Sequence, residues 1–305
     1  MSAASSSAIR TEALTKYYGR VVGLEGLTID VPEGAVFGFL GPNGAGKTTT
    51  IRLLLDLIRP SSGAAWIGGL DCHRQSLKAR ELVGYLPGEL PVLPGLTGRG
   101  FLNYLAAVGQ RPIPAGWLDH LLRRFDVSDV DLRRNMREYS QGMKRKLGVI
   151  QALMTAAPVV VLDEPTAGLD PLMIEAFTET LQELRQRGGT TVFLSSHVLS
   201  EVERTCDLIA LVRRGRLATV RSIADLRRDR TQRVTIAFSA PVDGQVGLDA
   251  ATIVSRTPDT WVVDVRGPLG PLVRALGGLP VRDLRVEPFE LEDYVLAFYA
   301  EGERS

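Results

Sequence analysis

Gly41-Pro42-Asn43-Gly44-Ala45-Gly46-Lys47-Thr48-Thr49 is the stretch on which the reading of this chain turns. It follows an apolar run, Ala35 to Leu40, and precedes Ile51, Leu54, Leu55 and Ile58 at helical spacing, so it joins a strand to a helix. Pro60, Ser61, Ser62 and Gly63 stop that helix, while Pro32, Glu33 and Gly34 separate the strand from an earlier one at Leu27 to Val31. Glycines at this density let successive backbone N–H groups turn toward one anion, and the helix adds the positive end of its dipole. The complete GxxxxGK[ST] pattern in this setting points to a bound nucleotide. Lys47 then contacts the β- and γ-phosphates, the Thr48 hydroxyl holds Mg²⁺, and the rest of Gly41 to Thr49 forms the cradle.

A phosphate cradle alone does not imply hydrolysis. Farther along, Val159-Val160-Val161-Leu162-Asp163-Glu164 is a buried strand ending in two acids. Asp163 suits Mg²⁺, directly or through a water, and Glu164 is placed to polarise an attacking water. A second strand pattern at Thr190 to Leu194 is joined to the first by a helix with apolar residues at Ile174, Phe177, Leu181 and Leu184. Alternating strands and helices imply a mostly parallel sheet with helices on its faces. The segment from Leu90 to Thr155 has helical patterns and turn clusters but little strand signal, and so is an insertion into that sheet.

Between the two motifs stands Tyr139-Ser140-Gln141-Gly142-Met143, followed by Lys144-Arg145-Lys146-Leu147-Gly148. This resembles the signature sequence of ATP-binding cassette (ABC) ATPases, in the variant found in subunits paired with separate export permeases. Ala167-Gly168-Leu169-Asp170 is similar to the family's D-loop, and Ser195-Ser196-His197 to its switch histidine. Lys16-Tyr17-Tyr18-Gly19 matches the segment whose aromatic residue stacks on adenine. The ordered match covers about Ile9 to Arg216.

The resemblance implies a P-loop NTPase (RecA-like) α/β cassette with an inserted helical subdomain, ATP and Mg²⁺ as cofactors, and ATP hydrolysis. Tyr18 offers a π face to the base, although a half-buried strand tyrosine fits the same position. His197 would hydrogen-bond the γ-phosphate and sense its loss. Ser140 and Gly142 start a helix, and in the family this element completes the γ-phosphate site of a facing subunit, so one cassette per chain implies a dimer, most simply a homodimer. Asp170 would connect the halves. One position departs from the pattern: where much of the family has a metal-site glutamine after the stretch Val83 to Pro87, this chain has Gly88 and then Glu89. Glu89 would bring a carboxylate to Mg²⁺ or its water, and a solvated loop glutamate fits equally well.

Composition limits the other possibilities. In 305 residues, 36 Lys+Arg balance 35 Asp+Glu for a net charge of +1, so no basic surface points to nucleic acid. No apolar run approaches a bilayer span, and residues 1–8 lack the apolar stretch of a secretory signal. Cys72 and Cys206 have neither zinc nor disulfide spacing and are expected as reduced, partly buried thiols; His73 and His120 are expected at the surface. One cassette, with neither zinc modules nor heptads, disfavours members of the family that act on ribosomes or DNA; a nucleotide-gated regulator without transport is a third possibility.

The expected organisation is a tail over residues 1–8, a cassette over 9–218 with its helical subdomain at about 89–154, and a small α+β domain over 219–305. In that last domain Val234, Ile236 and Phe238 alternate with polar neighbours, Trp261 to Arg266 and Val281 to Val286 make further strands, and Leu291, Tyr294, Val295 and Phe298 mark a terminal helix. Its likeness to the extension on drug- and antibiotic-resistance cassettes rests on position, length and the ending Leu291-Glu292-Asp293-Tyr294. Lacking a span of its own, the chain is expected at the cytoplasmic face of the cell membrane, working on a separate integral-membrane permease. The resemblance implies docking through residues 90–110, where Leu96-Thr97-Gly98, Phe101, Leu102 and Tyr104 lie, and the Phe101 to Leu105 stripe also suits an ordinary core helix.

Overall fold

A computed structural model of the protein describes residues 7–93, 95–109, 111–228, 231–242 and 251–287. The expected terminal helix at Leu291 to Phe298 and residues 1–6 of the tail lie outside the described residues.

The chain begins with β1 (Ser7–Tyr18) and β2 (Val21–Pro32), an antiparallel pair. Then follow β3 (Val36–Leu40), α1 (Lys47–Leu54), β4 (Ser62–Ile67), β5 (Leu70–Asp71), α2 (Ser76–Glu81) and β6 (Val83–Leu86). Strands β2, β1, β4 and β5 form an antiparallel sheet in that order. Strand β1 has no clean alternation because register shifts interrupt it between Thr11 and Leu14 and again before Lys16, and Ala13 takes a φ of 44°. Such bulges break the period of two on which strand recognition depends.

Between β6 and the next strand lie α3 (Gly98–Val108), α4 (Trp117–Arg124), α5 (Asp129–Arg133), a 3₁₀ turn and α6 (Gln141–Leu153). In α3, Phe101 and Leu102 are buried while Tyr104 and Val108, one turn apart, are exposed, so the apolar stripe divides between core and surface. His120 on α4 is partly exposed, stacking on Trp117 and meeting Glu183 at 2.9 Å.

The sheet resumes with β7 (Val159–Asp163), α7 (Pro171–Gly188), β8 (Thr191–Ser196), α8 (Leu199–Thr205), β9 (Leu208–Arg213) and β10 (Arg216–Ser222). Its order is β10-β9-β3-β8-β7-β6, and the ladders β9/β3, β3/β8, β8/β7 and β7/β6 are all parallel. Every residue of β3, β7 and β8 is buried, as befits strands covered on both faces. Phe37 and Phe39 meet Phe193 with ring centroids 5.8 and 5.3 Å apart. The parallel register sets Leu40 beside Ser196, and Ser195 beside Asp163, so the segments bearing the motifs leave the sheet at one edge.

The chain divides into two compact units between Arg221 and Ser222, at the end of a strand that runs through Ala218. The second contains α9 (Ile223–Arg228), β11 (Thr231–Phe238), β12 (Ala251–Arg256), β13 (Thr260–Arg266), α10 (Gly270–Leu276) and β14 (Val281–Val286). Its antiparallel sheet, ordered β12-β13-β11-β14, buries Val234, Ile236, Phe238, Trp261, Val263 and Val265 with Leu272 and Leu276 of α10. Strand β12 leaves five of its six side chains exposed, and α10 is a seven-residue helix. Neither presents enough periodic apolar residues to be found from sequence.

Candidate active site

The phosphate loop runs from the end of β3 to the start of α1. Gly46, the residue capping α1, has φ 105°, and a Cβ there would stand 2.6 Å from the Gly23 carbonyl oxygen. Gly41 is constrained by packing instead: its Cβ would lie 2.4 Å from the Val212 carbonyl oxygen. No side chain caps α1, and its first turn contains no acid, which leaves the helix dipole open to an anion.

Lys47 is 5% exposed and donates to the carbonyls of Gly41 at 2.7 Å and Pro42 at 3.3 Å. Its ammonium lies 3.5 Å from Glu164 Oε1. The Thr48 hydroxyl donates to Asp163 Oδ2 at 3.0 Å, while Asp163 Oδ1 accepts from Ser195 Oγ at 2.6 Å. Both acids from the end of β7 are thereby brought to the phosphate loop. A Thr hydroxyl beside a buried carboxylate is the all-oxygen donor set that suits magnesium.

Glu164 takes a φ of 50°, in the left-handed region that costs a residue with a Cβ roughly 1–2 kcal/mol. Its N–H donates to the Ser195 carbonyl at 3.2 Å and to Ser195 Oγ at 3.0 Å, and its carboxylate lies 3.2 Å from His197 Nδ1. The strand-end histidine and acid thus form a pair. A cavity of about 270 Å³ is lined by Tyr18, Val21, Val22, Gly23, Asn43, Gly44, Gly46, Lys47, Thr48, Thr49 and Glu164. Tyr18 is 44% exposed, and the Lys16 ammonium sits 5.4 Å from its ring centroid. Part of the ring is thus open to the cavity.

The signature residues stand apart from this cavity. Ser140 caps α6, accepting from the Met143 N–H at 3.2 Å, and a Cβ on Gly142 would lie 3.4 Å from the Gly168 carbonyl oxygen. Asp170 caps α7 in the same way, accepting from Met173 N–H at 3.0 Å. Glu89 also lies elsewhere. It lines a second cavity, about 460 Å³, with Gly88, Leu90, Gln141, Lys144, Arg145 and Ala167. Position 88 is the one that faces Asp163: a Cβ on Gly88 would be 3.4 Å from Asp163 Oδ2, but glycine brings no side-chain ligand there.

Two residues of the site were missed in the sequence. Ser195 was read only as part of the switch-histidine motif, yet it bonds both Asp163 and the Glu164 backbone. Arg145 is given no role in the sequence beyond standing in the stretch after the signature motif, yet it is 8% exposed and donates from all three nitrogen positions: Nε to Ala167 O at 3.1 Å, Nη1 to Pro87 O at 3.1 Å and Nη2 to Glu164 O at 2.6 Å. Burial lowers the pKa of its guanidinium, and the Asp163 and Glu164 carboxylates raise it. The available signal was spacing, since Arg145 lies one turn before buried Val149 on the inward face of α6.

The family model described as ABC transporter matches residues 24–167. The daunorubicin resistance ATP-binding protein DrrA3 of Streptomyces coeruleorubidus is 34% identical over 301 residues, covering 96% of this chain and 92% of the relative. The bacitracin transport ATP-binding protein BcrA of Bacillus licheniformis is 35% identical over 213 residues, 70% of this chain and 69% of its own. A solved ATP binding subunit of an ABC transporter superposes with a TM-score of 0.66 at 30% identity, covering 72% of this chain and 92% of that one. A dimeric ATP-binding cassette in a post-hydrolysis state with ADP and Pi shares the fold at 18% identity and a TM-score of 0.63, over 70% of this chain and 98% of its own. Motifs in order, a parallel sheet that brings the phosphate loop and the strand-end acids together, and a relative matched along nearly the whole length place this chain in the ABC transporter family, as an ATP-binding subunit with ATPase activity.

Proposed function

We propose that the protein powers export of a drug or antibiotic through a separate integral-membrane permease, as one of two identical ATPase subunits on the cytoplasmic face of the membrane. Cassettes of this family dimerise and pair with membrane permeases. The export reading is supported by the daunorubicin and bacitracin relatives, the first of which spans the C-terminal unit as well as the cassette. No helix among the described residues is long and apolar enough to cross a membrane, and in this reading the separate permease supplies the pathway and docks through residues 90–110.

In the proposed mechanism adenine stacks on Tyr18, and the triphosphate lies along Gly41 to Thr49 with Lys47 on the β- and γ-phosphates. Thr48 and Asp163 would hold Mg²⁺, which when bound offsets the triphosphate charge. Glu89, in the neighbouring cavity, is a poorer candidate for that role. Ser140 and Gly142 close the γ-phosphate site of the partner subunit. Glu164 takes a proton from the water whose oxygen attacks the γ-phosphorus while the bond from that phosphorus to the β–γ bridging oxygen breaks and ADP leaves, and His197, oriented through Nδ1 by that same carboxylate, contacts the γ-phosphate through its other nitrogen.

The observation that carries this reading is the Glu164 carboxylate, 3.5 Å from the Lys47 ammonium and 3.2 Å from His197 Nδ1 at the nucleotide cavity. Glu164→Gln should retain ATP binding, favour an ATP-bound dimer and slow turnover by about 10²- to 10⁴-fold in a steady-state phosphate-release assay. Hydrolysis at the wild-type rate removes Glu164 from the role.

A further inference from the structure

We propose that Arg145 is a positioning residue for hydrolysis: from α6 it clamps the backbone of Glu164 together with the loops at Pro87 and Ala167, and so holds the catalytic carboxylate in reach of Lys47 and His197. The inference rests on the reading of Glu164 as the base.

Glu164 occupies a left-handed conformation at φ 50°, and such a conformation persists only where its surroundings over-determine it. Both sides of the residue are tied. Its N–H donates to Ser195 at the end of β8, and its carbonyl accepts from Arg145 Nη2 at 2.6 Å. Ser195 therefore fixes one side from within the parallel sheet. Arg145 fixes the other from the helix capped by Ser140, five residues upstream.

The other two bonds give the clamp its reach. Nη1 holds Pro87, next to the Gly88 that faces Asp163, and Nε holds Ala167, next to the Gly168 whose carbonyl lies against Gly142. Three segments that are distant in sequence thus share one guanidinium. A planar fork with separate donors can satisfy three divergent carbonyls, whereas an ammonium offers its donors from a single atom. A movement of α6 relative to the sheet is consequently transmitted to the Glu164 main chain.

The test uses the full-length chain, with ATP turnover measured at steady state, affinity measured with a fluorescent ATP analogue, and folding followed by thermal melting. Displacing a catalytic group by an ångström from a distance costs about 10²-fold in rate, so Arg145→Met should lower kcat about 10- to 100-fold while affinity stays within about twofold. Arg145→Lys, which keeps the charge and loses the fork, should fall between Met and wild type. In a Glu164→Gln background Arg145→Met should cause no further loss, because the group it positions is already gone. If Arg145→Met does not fold, Arg145→Lys decides: reduced kcat at unchanged affinity supports the clamp, and wild-type kcat overturns it. Raised KM at unchanged kcat, or a further loss in the Glu164→Gln background, also overturns it. Wild-type kcat in the Arg145 variants beside an inactive Glu164→Gln refutes the clamp and leaves the base standing, whereas full-rate Glu164→Gln refutes the base itself.

Discussion

The N-termini of α1 and α6 are both assigned to the γ-phosphate, one in its own site and one in the partner's, and they are built differently. Helix α1 begins at Gly46 in a left-handed conformation with no side-chain cap, so its first N–H groups depend on something outside the helix. Helix α6 begins at Ser140 in an extended conformation, and the serine oxygen already caps the Met143 N–H. Neither first turn contains an acidic residue, in contrast to α5, whose first turn holds Asp129 and Asp131, the latter closing a capping box with Ser128. In the proposed mechanism the difference separates two tasks: α1 would be completed by its ligand, while α6, already capped, would be presented to another subunit.

The glycines of the two helices allow the sharpest break of this comparison. Gly46→Ala puts a Cβ 2.6 Å from the Gly23 carbonyl at a φ of 105°. It should weaken ATP binding by more than about tenfold in calorimetric titration, because a strained phosphate loop cannot keep its amides convergent. Ser140→Ala should cost about 1 kcal/mol of stability through the lost cap, read as a lowered Tm. Turnover should fall as well, but ATP affinity of the isolated monomer should not. Gly142→Ala should have the smallest effect on the chain itself: its Cβ meets the Gly168 carbonyl at 3.4 Å, a contact that slight movement relieves. Melting should show a Tm near wild type, with any loss confined to turnover by the dimer. A monomer affinity as damaged by Ser140→Ala as by Gly46→Ala would erase the distinction between the two helices.

Legibility in the sequence follows the same division. The phosphate loop, the acids ending β7 and the histidine after β8 were readable because each is a short run whose backbone setting is local: strand, turn, helix. Their convergence follows from the parallel register that sets Ser195 beside Asp163. Strand β1 was not readable, because bulges around Ala13 break its alternation. Nor were β12, which exposes nearly every side chain, and α10, which has two turns. At the site, Arg145 stands between two lysines with no local feature to mark it, and only the tertiary fold reveals three carbonyls around it. Glu89 shows the limit of the family pattern: it stands next to the position where a glutamine is expected and reads equally as a metal ligand or a loop glutamate, and the chain sets it in the cavity beside Lys144 and places Gly88 against Asp163.

The central claim is that each working site takes its phosphate loop from one subunit and its signature helix from the other. Mixing Lys47→Ala chains with Ser140→Arg chains, each inactive alone, tests it directly by measuring ATPase activity in dimers shown to have formed. In a mixed dimer one site carries both lesions and the other carries none. Random pairing makes about half of the dimers mixed, so activity should recover to about a quarter of the wild-type rate. Mixed dimers without recovered activity would contradict shared sites and return both helix ends to a single chain.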